Sequence, residues 1–289
     1  AVKYYNTLSK DVLTFEEQST AFGPGYRFAN SGAIRNSGLE FLVSAGILRN
    51  RSGVDLTLFA KGVVNRSKIT ELPDYASTLY NNNSFAQRYY GGMAEGDAAD
   101  GIYALRSAGI DAETGREKFY LRDGSVSETP TAADLEYQGS MTPKLRGTFG
   151  ATAAYRNFDF TVVGTGRAGY VTAMTNRYFW NGWSTGGISN FVRDNIGGDY
   201  PRLTYIKATN NFQSSDFWLR DGGFFKIQNI ELGYNVRFRS QSAVKGLRIF
   251  LRGANLCTIS GIKDVDPENI NAGVSTYPLY RTFTAGFKF

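Results

Sequence analysis

Hydrophobic and polar residues alternate with a period of two along much of this chain. Leu39, Phe41, Val43, Ala45 and Ile47 alternate with mostly polar or small neighbours, and Val54, Leu56, Leu58 and Ala60 with Asp55, Thr57 and Lys61. Phe149, Ala151, Ala153 and Tyr155 follow the same rule, as do Phe158, Phe160 and Val162. It returns in Ile230, Leu232, Tyr234, Val236 and Phe238, and in Leu247, Ile249 and Leu251, where Phe250 breaks the polar face. Successive side chains of a strand point to opposite faces, so these runs predict half-buried β-strands. The opening VKYYNTL and the closing RTFTAGFKF bring the total to about eight strands. In the last one, Phe283, Ala285, Phe287 and Phe289 share one parity up to the final residue. Helix is expected to be minor, with DAADGIYALRSAG the best candidate.

The connections separate two fold classes. Short links (RNRS, Arg156-Asn157 and RSQSAVKG) alternate with long segments over roughly residues 9–32, 67–144, 169–222 and 257–278. A compact soluble sandwich rarely holds several loops longer than about 15 residues. An outer-membrane barrel does so routinely, with short turns on the periplasmic side and long loops outside. The pattern therefore predicts an all-β, antiparallel transmembrane β-barrel. A complete eight-stranded barrel, serving as an anchor or adhesin without transport, is the alternative. Further hairpins are expected around Arg88-Tyr89-Tyr90 and Phe119-Tyr120-Leu121.

Composition narrows the function. No apolar run approaches the roughly 20 residues of a membrane helix. The net charge of +6 is mild, and no Lys/Arg run exceeds two residues. Nucleic-acid binding, which shows a clustered basic stripe, is not expected. Cys257 is the single cysteine and histidine is absent. That excludes Ser-His-Asp and Cys-His catalysis and the usual zinc sites. No enzyme activity, cofactor or metal is expected. The opening AVKYYNTLSK already reads as the inside of a strand, so the chain is expected to be a fragment or a processed piece of a longer protein.

The stretch SSDFWLRDGGFFKIQNIELGYNV carries a Trp-Leu, an acidic residue, a short aromatic-basic-aliphatic run, Asn and then Leu-Gly-Tyr. It resembles a pattern of the SusC/RagA family of TonB-dependent outer-membrane transporters of Bacteroidetes. IRNSGLEFLV, LPDYA, AGIDAETGREKFY, DYPRL, GANLCTISGIKDVDPE and YPLYRTFTAGFKF are similar to further family segments in the expected order. The family's Asp-rich DxNGDG segment is reduced to YLRDGS, so no metal site carries over. The resemblance implies that residues 1–289 are the carboxy-terminal portion of a barrel domain. They would supply about the last 8–10 strands of a 22-stranded barrel, with the plug and the amino-terminal half of the barrel absent. It further implies import of an oligosaccharide, glycan or oligopeptide across the outer membrane. The implied partners are the lipid bilayer, a SusD-like surface lipoprotein acting as a lid, and the TonB system reached through the plug.

Two groups of residues are candidates for the site. Polar-parity residues Arg156, Asp159, Glu231, Arg248 and Arg252, with Thr148, Thr152 and Thr161, are expected to face the lumen, where the resemblance places a plug or a conduit. Tyr178, Phe179, Trp180, Asn181 and Trp183, together with Asn176, cluster in the third long segment. Aromatic rings there would stack on sugars or clamp apolar side chains, and the amides would orient a polar ligand. The carboxylates of DVDPEN (Asp264, Asp266 and Glu268) lack calcium-loop spacing and are read as a capped turn.

Overall fold

The computed structural model describes residues 1–17, 26–72, 94–174, 215–238, 246–262, 266–270 and 279–289. The strands are β1 (Val2–Glu17), β2 (Tyr26–Arg51), β3 (Val54–Glu71), β4 (Gly101–Ile110), β5 (Glu117–Tyr120), β6 (Val126–Ser127) and β7 (Leu135–Ser140). They continue with β8 (Leu145–Tyr155), β9 (Phe158–Ala168), β10 (Val171–Ala173), β11 (Leu219–Asp221), β12 (Phe224–Arg237), β13 (Gly246–Ser260) and β14 (Thr282–Lys288). Eight of them form one antiparallel sheet in the order β1-β2-β3-β8-β9-β12-β13-β14. These are the eight strands that the alternation predicts. Among the described residues β1 and β14 do not pair, so the sheet has two free edges.

The sheet has one apolar and one polar face. Leu232, Leu251, Phe283 and Phe287 are exposed on the apolar side. Large apolar side chains in contact with solvent would be costly in a soluble sheet, whereas lipid accepts them. Two of the three short connections match expectation, with turns at 52–53 and 156–157, while RSQSAVKG lies almost wholly outside the described residues. At the opposite end the ladders reach further than the alternation suggested: β1 pairs with β2 from Val2↔Phe41 as far as Glu17↔Tyr26.

Glycines let large rings lie flat across the sheet. Phe59 sits opposite Gly150, and a Cβ at Gly150 would come within 2.6 Å of its ring. Phe250 pairs with both Gly233 and Gly286. It therefore occupies the polar face without displacing a polar neighbour, and Arg248 and Arg252 stack on its ring at 5.5 and 5.8 Å. The interruption of the seventh strand's alternation is thus an aromatic covering two glycines.

A second, four-stranded sheet in the order β6-β5-β4-β7 fills part of the long segment between β3 and β8. The helix expected in DAADGIYALRSAG is a strand instead, β4. Pairing on both sides overrides its weak helical preference, and Ile102, Ala104 and Leu105 are wholly buried. The hairpin expected at Phe119-Tyr120 is present as β5 and β6, but it joins this small sheet rather than the large one. The Arg88–Tyr90 expectation lies outside the described residues. Trp218, in a short 3-10 turn (Asp216–Trp218), packs against Leu105 and Phe119. Leu219 packs with Ile102 and Ala104. The Trp-Leu motif is therefore a staple between two long loops.

Candidate functional site

The polar face of the large sheet carries a chain of charges across three adjacent strands. Asp159 on β9 accepts from Arg248 on β13, whose Nε lies 3.1 Å from Asp159 Oδ2. The same guanidinium donates to Glu231 Oε1 on β12 at 2.7 Å. Glu231 Oε2 accepts from Arg252 Nε at 2.6 Å. Asn235 adds a bond to Asp159 Oδ2 at 2.9 Å. The register makes this possible, because Glu231 stands between Thr161 and Arg252, and Asn235 opposite Arg248. Glu231 therefore lies one cross-strand step from Arg252, whereas Asp159 meets Arg248 from two strands away, over Gly233 of β12. Asp159, Glu231, Arg248 and Arg252 share one face, as the alternation predicts.

Arg156 differs from the expectation. It sits in the tight turn between β8 and β9 with a left-handed backbone, φ 54°. Its guanidinium lies 5.1 Å from the centre of the Tyr155 ring, so Arg156 takes no part in the charge chain. A two-residue turn leaves its first residue no sheet face to occupy. Tyr178, Phe179, Trp180, Asn181 and Trp183, with Asn176, lie outside the described residues.

Near the other end of β12, a β-bulge between Ile227 and Asn229 changes the strand's parity. Phe225 and Ile227 line a groove on the apolar face, whereas Lys226 turns to the polar face and is fully buried. Its ammonium donates to Asp266 Oδ1 and Oδ2 at 3.0 and 2.9 Å and to Glu268 Oε2 at 2.7 Å. Arg167 stands 3.9 Å from Glu268. Glu268 N–H also donates to Asp266 Oδ1 at 2.9 Å, so residues 266–270 form a turn, as expected, and an anchor as well, while Asp264 lies outside the described residues. Ile262 and Ile270 pack with Met174 beside it. The connection between β13 and β14 is thereby tied down onto β12. Asn229, just past the bulge, holds a buried Oδ1 with no hydrogen-bond partner among the described residues. No cluster of metal-binding side chains occurs among the described residues.

The small sheet contains a second set of carboxylates in fixed roles. Asp216 accepts from the Ser107 N–H at 2.8 Å, and burial raises its pKa above the ordinary aspartate value. Asp111 accepts from Lys118 and from the Thr114 N–H at 2.7 Å. The Lys118 bond is the main reason its carboxyl is held well below the usual range. Both hold loop geometry through these bonds.

No protein-family model matches the chain. It is 24% identical to TonB-dependent receptor P3 of Formosa agariphila over 98% of its length, which is 31% of that protein. It is 29% identical to TonB-dependent receptor P26 of the same organism, over 57% of its length and 18% of that protein's. The chain thus spans about a third or less of these relatives. Among solved structures, a chain of the RagAB peptide transporter superposes with a TM-score of 0.73 at 22% identity, covering 99% of this chain and 32% of that one. The open-open state of the RagAB peptide importer gives a TM-score of 0.72. These relatives are receptors and transporters rather than enzymes. An apolar outer face, an open antiparallel sheet and these likenesses together make the chain an outer-membrane homologue of part of a TonB-dependent receptor.

Proposed function

We propose that the chain is the carboxy-terminal part of the barrel wall of a TonB-dependent importer, about the last 8–10 strands of a barrel of about 22. The observation that carries this reading is the open eight-stranded sheet, apolar on one face and charge-laced on the other. Lipid cannot hydrate the bare backbone groups of a sheet edge, so two free edges call for further strands. A closed eight-stranded anchor would pair β1 with β14. In the proposed barrel, the face carrying Asp159, Glu231, Arg248 and Arg252 lines the lumen and meets a plug. The long connections face outward, where a SusD-like lipoprotein would cover them. The cargo class is an oligopeptide or an oligosaccharide, taken up with energy supplied through TonB.

The test is uptake by cells lacking the full-length receptor, complemented or not. Fluorescent oligopeptides and oligosaccharides are offered in parallel, with and without a functional TonB system. Accumulation of one class that needs both the receptor and TonB is the expected result, and it also identifies the cargo. Uptake of neither class, or uptake indifferent to TonB, would overturn the importer reading.

A further inference from the structure

The apolar face ends abruptly along β3. Val54 to Val64 spans ten steps, about 33 Å along the strand at ~3.3 Å per residue. A tilt of roughly 40° reduces this to about 25 Å of height, the usual thickness of the lipid-facing band. Val64, 43% exposed, is the last apolar residue of that parity. The next two positions on the same face are Arg66 and Lys68, both exposed, while the intervening Ser67 is half-buried and Ile69 is buried. Cations therefore replace aliphatic side chains where the hydrocarbon region gives way to headgroups, on the side of the long loops.

Register adds a second observation. Lys68 stands directly opposite Arg35 of β2. Like charges in that relation destabilise a sheet. Arg35 donates to the Asn6 amide oxygen at 3.3 Å. Among the described residues, no carboxylate forms an ion pair with Arg35, Arg66 or Lys68. A cleft of about 170 Å3 opens beside Arg66 and Lys68, lined also by Ser67, Ala98, Tyr137 and Thr142 among others. No carboxylate lines it. The nearby Asp100 is engaged by the Ser140 hydroxyl at 2.8 Å and the Thr142 N–H at 2.6 Å. Asp97 is likewise taken up by the Ala94 N–H and the Tyr103 hydroxyl.

We infer that Arg35, Arg66 and Lys68 form a binding site for the phosphorylated headgroup of an outer-leaflet lipid. A phosphate between Arg35 and Lys68 would remove their repulsion, and its acyl chains would run down the exposed aliphatic face below Val64. Soluble cargo passing through the lumen would not reach this face. The inference rests on the outer-membrane placement of the sheet and is independent of the cargo class.

The test uses the full-length receptor carrying this chain, purified in detergent and stripped of lipid. Bisphosphorylated lipid A is titrated by native mass spectrometry against the unaltered protein and the triple variant Arg35→Gln, Arg66→Gln, Lys68→Gln. Each basic residue near an anionic headgroup contributes roughly five-fold in affinity, so the triple variant should bind on the order of a hundred-fold more weakly. Lys61→Gln, on the opposite face of β3, should bind as the unaltered protein does. Dephosphorylated lipid A should bind both proteins weakly and alike. If the triple variant fails to fold, Lys68→Gln alone should show the roughly five-fold loss. Equal affinities for the two lipids, or an unweakened variant, would overturn the site. Displacement of lipid A by equimolar inorganic phosphate would overturn the lipid as its source.

Discussion

Strand β12 carries two ion networks on one face, and they differ in kind. Near the turn end, Glu231 bridges Arg248 and Arg252 with its neighbours partly open, Arg252 being half exposed. Beyond the bulge, Lys226 is wholly enclosed by Asp266 and Glu268. Water screens the first network, so each of its pairs contributes little and its main effect is to hold three strands in register. The second has exchanged water for partners. It works as a pair of commitments: the lysine cannot be buried without the loop, and among the described residues the loop carboxylates have no other cation at hydrogen-bonding distance. Similar chemistry thus acts as a register mark in one place and as an anchor in the other.

The most damaging way to probe this contrast is Lys226→Met. Leaving two carboxylates without their cation should destabilise the anchored region by about 3–5 kcal/mol. Hydrogen exchange of the full-length protein should show loss of protection at residues 266–270 while β12 and β13 remain protected. Retained protection there would mean that Ile262, Ile270 and Met174 hold the turn unaided.

The face assignment on which the comparison depends has its own test. Leu232→Arg and Val162→Arg place a cation against lipid, at a cost of about 2–4 kcal/mol near mid-membrane, whereas Thr161→Arg falls on the charged face and costs little. Folded receptor recovered from outer membranes should drop for the first two only. Equal yields for all three would contradict the assignment of the faces.

A milder effect is expected from Glu231→Gln. A partly open network of this kind contributes roughly 1 kcal/mol or less per pair, and salt screens it. The loss in thermal stability should therefore shrink as ionic strength rises, whereas that of Lys226→Met should not. Parallel salt dependence for the two variants would mean that water screens both networks alike.

The smallest effect concerns the small sheet, where two aspartates respond oppositely to acid. Asp216 has a folded pKa raised by burial. Its stabilising contribution is complete below the ordinary aspartate value and is lost as pH rises through the folded one. Asp111 has a folded pKa lowered chiefly by Lys118. Its contribution is present above the ordinary value and is lost as pH falls through the folded one. On acidification toward about pH 4, Asp216→Asn should abolish a gain in protection at the Ser107 amide. Only below that value, as pH falls toward the lowered folded pKa of Asp111, should Asp111→Asn abolish a loss at β5. Identical pH profiles for the two variants would show that neither carboxyl sets local stability.

Alternation alone located all eight strands of the large sheet, because one face meets lipid and the other does not, and a period of two records that difference at every residue. The charge chain was legible for the same reason: Asp159, Glu231, Arg248 and Arg252 sit on the polar parity of well-marked strands. The small sheet was harder to read. Its strand β4 is rich in small residues and stabilised by pairing with β5 and β7, so local preference pointed to a helix. The Lys226 anchor was hidden by the bulge after Ile227. Counted without that extra residue, Lys226 shares the parity of Ile230 and Leu232 and would face lipid. A lysine on an apolar parity was the signal that the strand must shift. Only tertiary structure could decide that it does, because a bulge is stabilised by what the displaced side chain finds across space, here two carboxylates some forty residues away. The Arg35–Lys68 juxtaposition has the same origin: each residue is an ordinary cation in its own strand, and register alone sets them face to face.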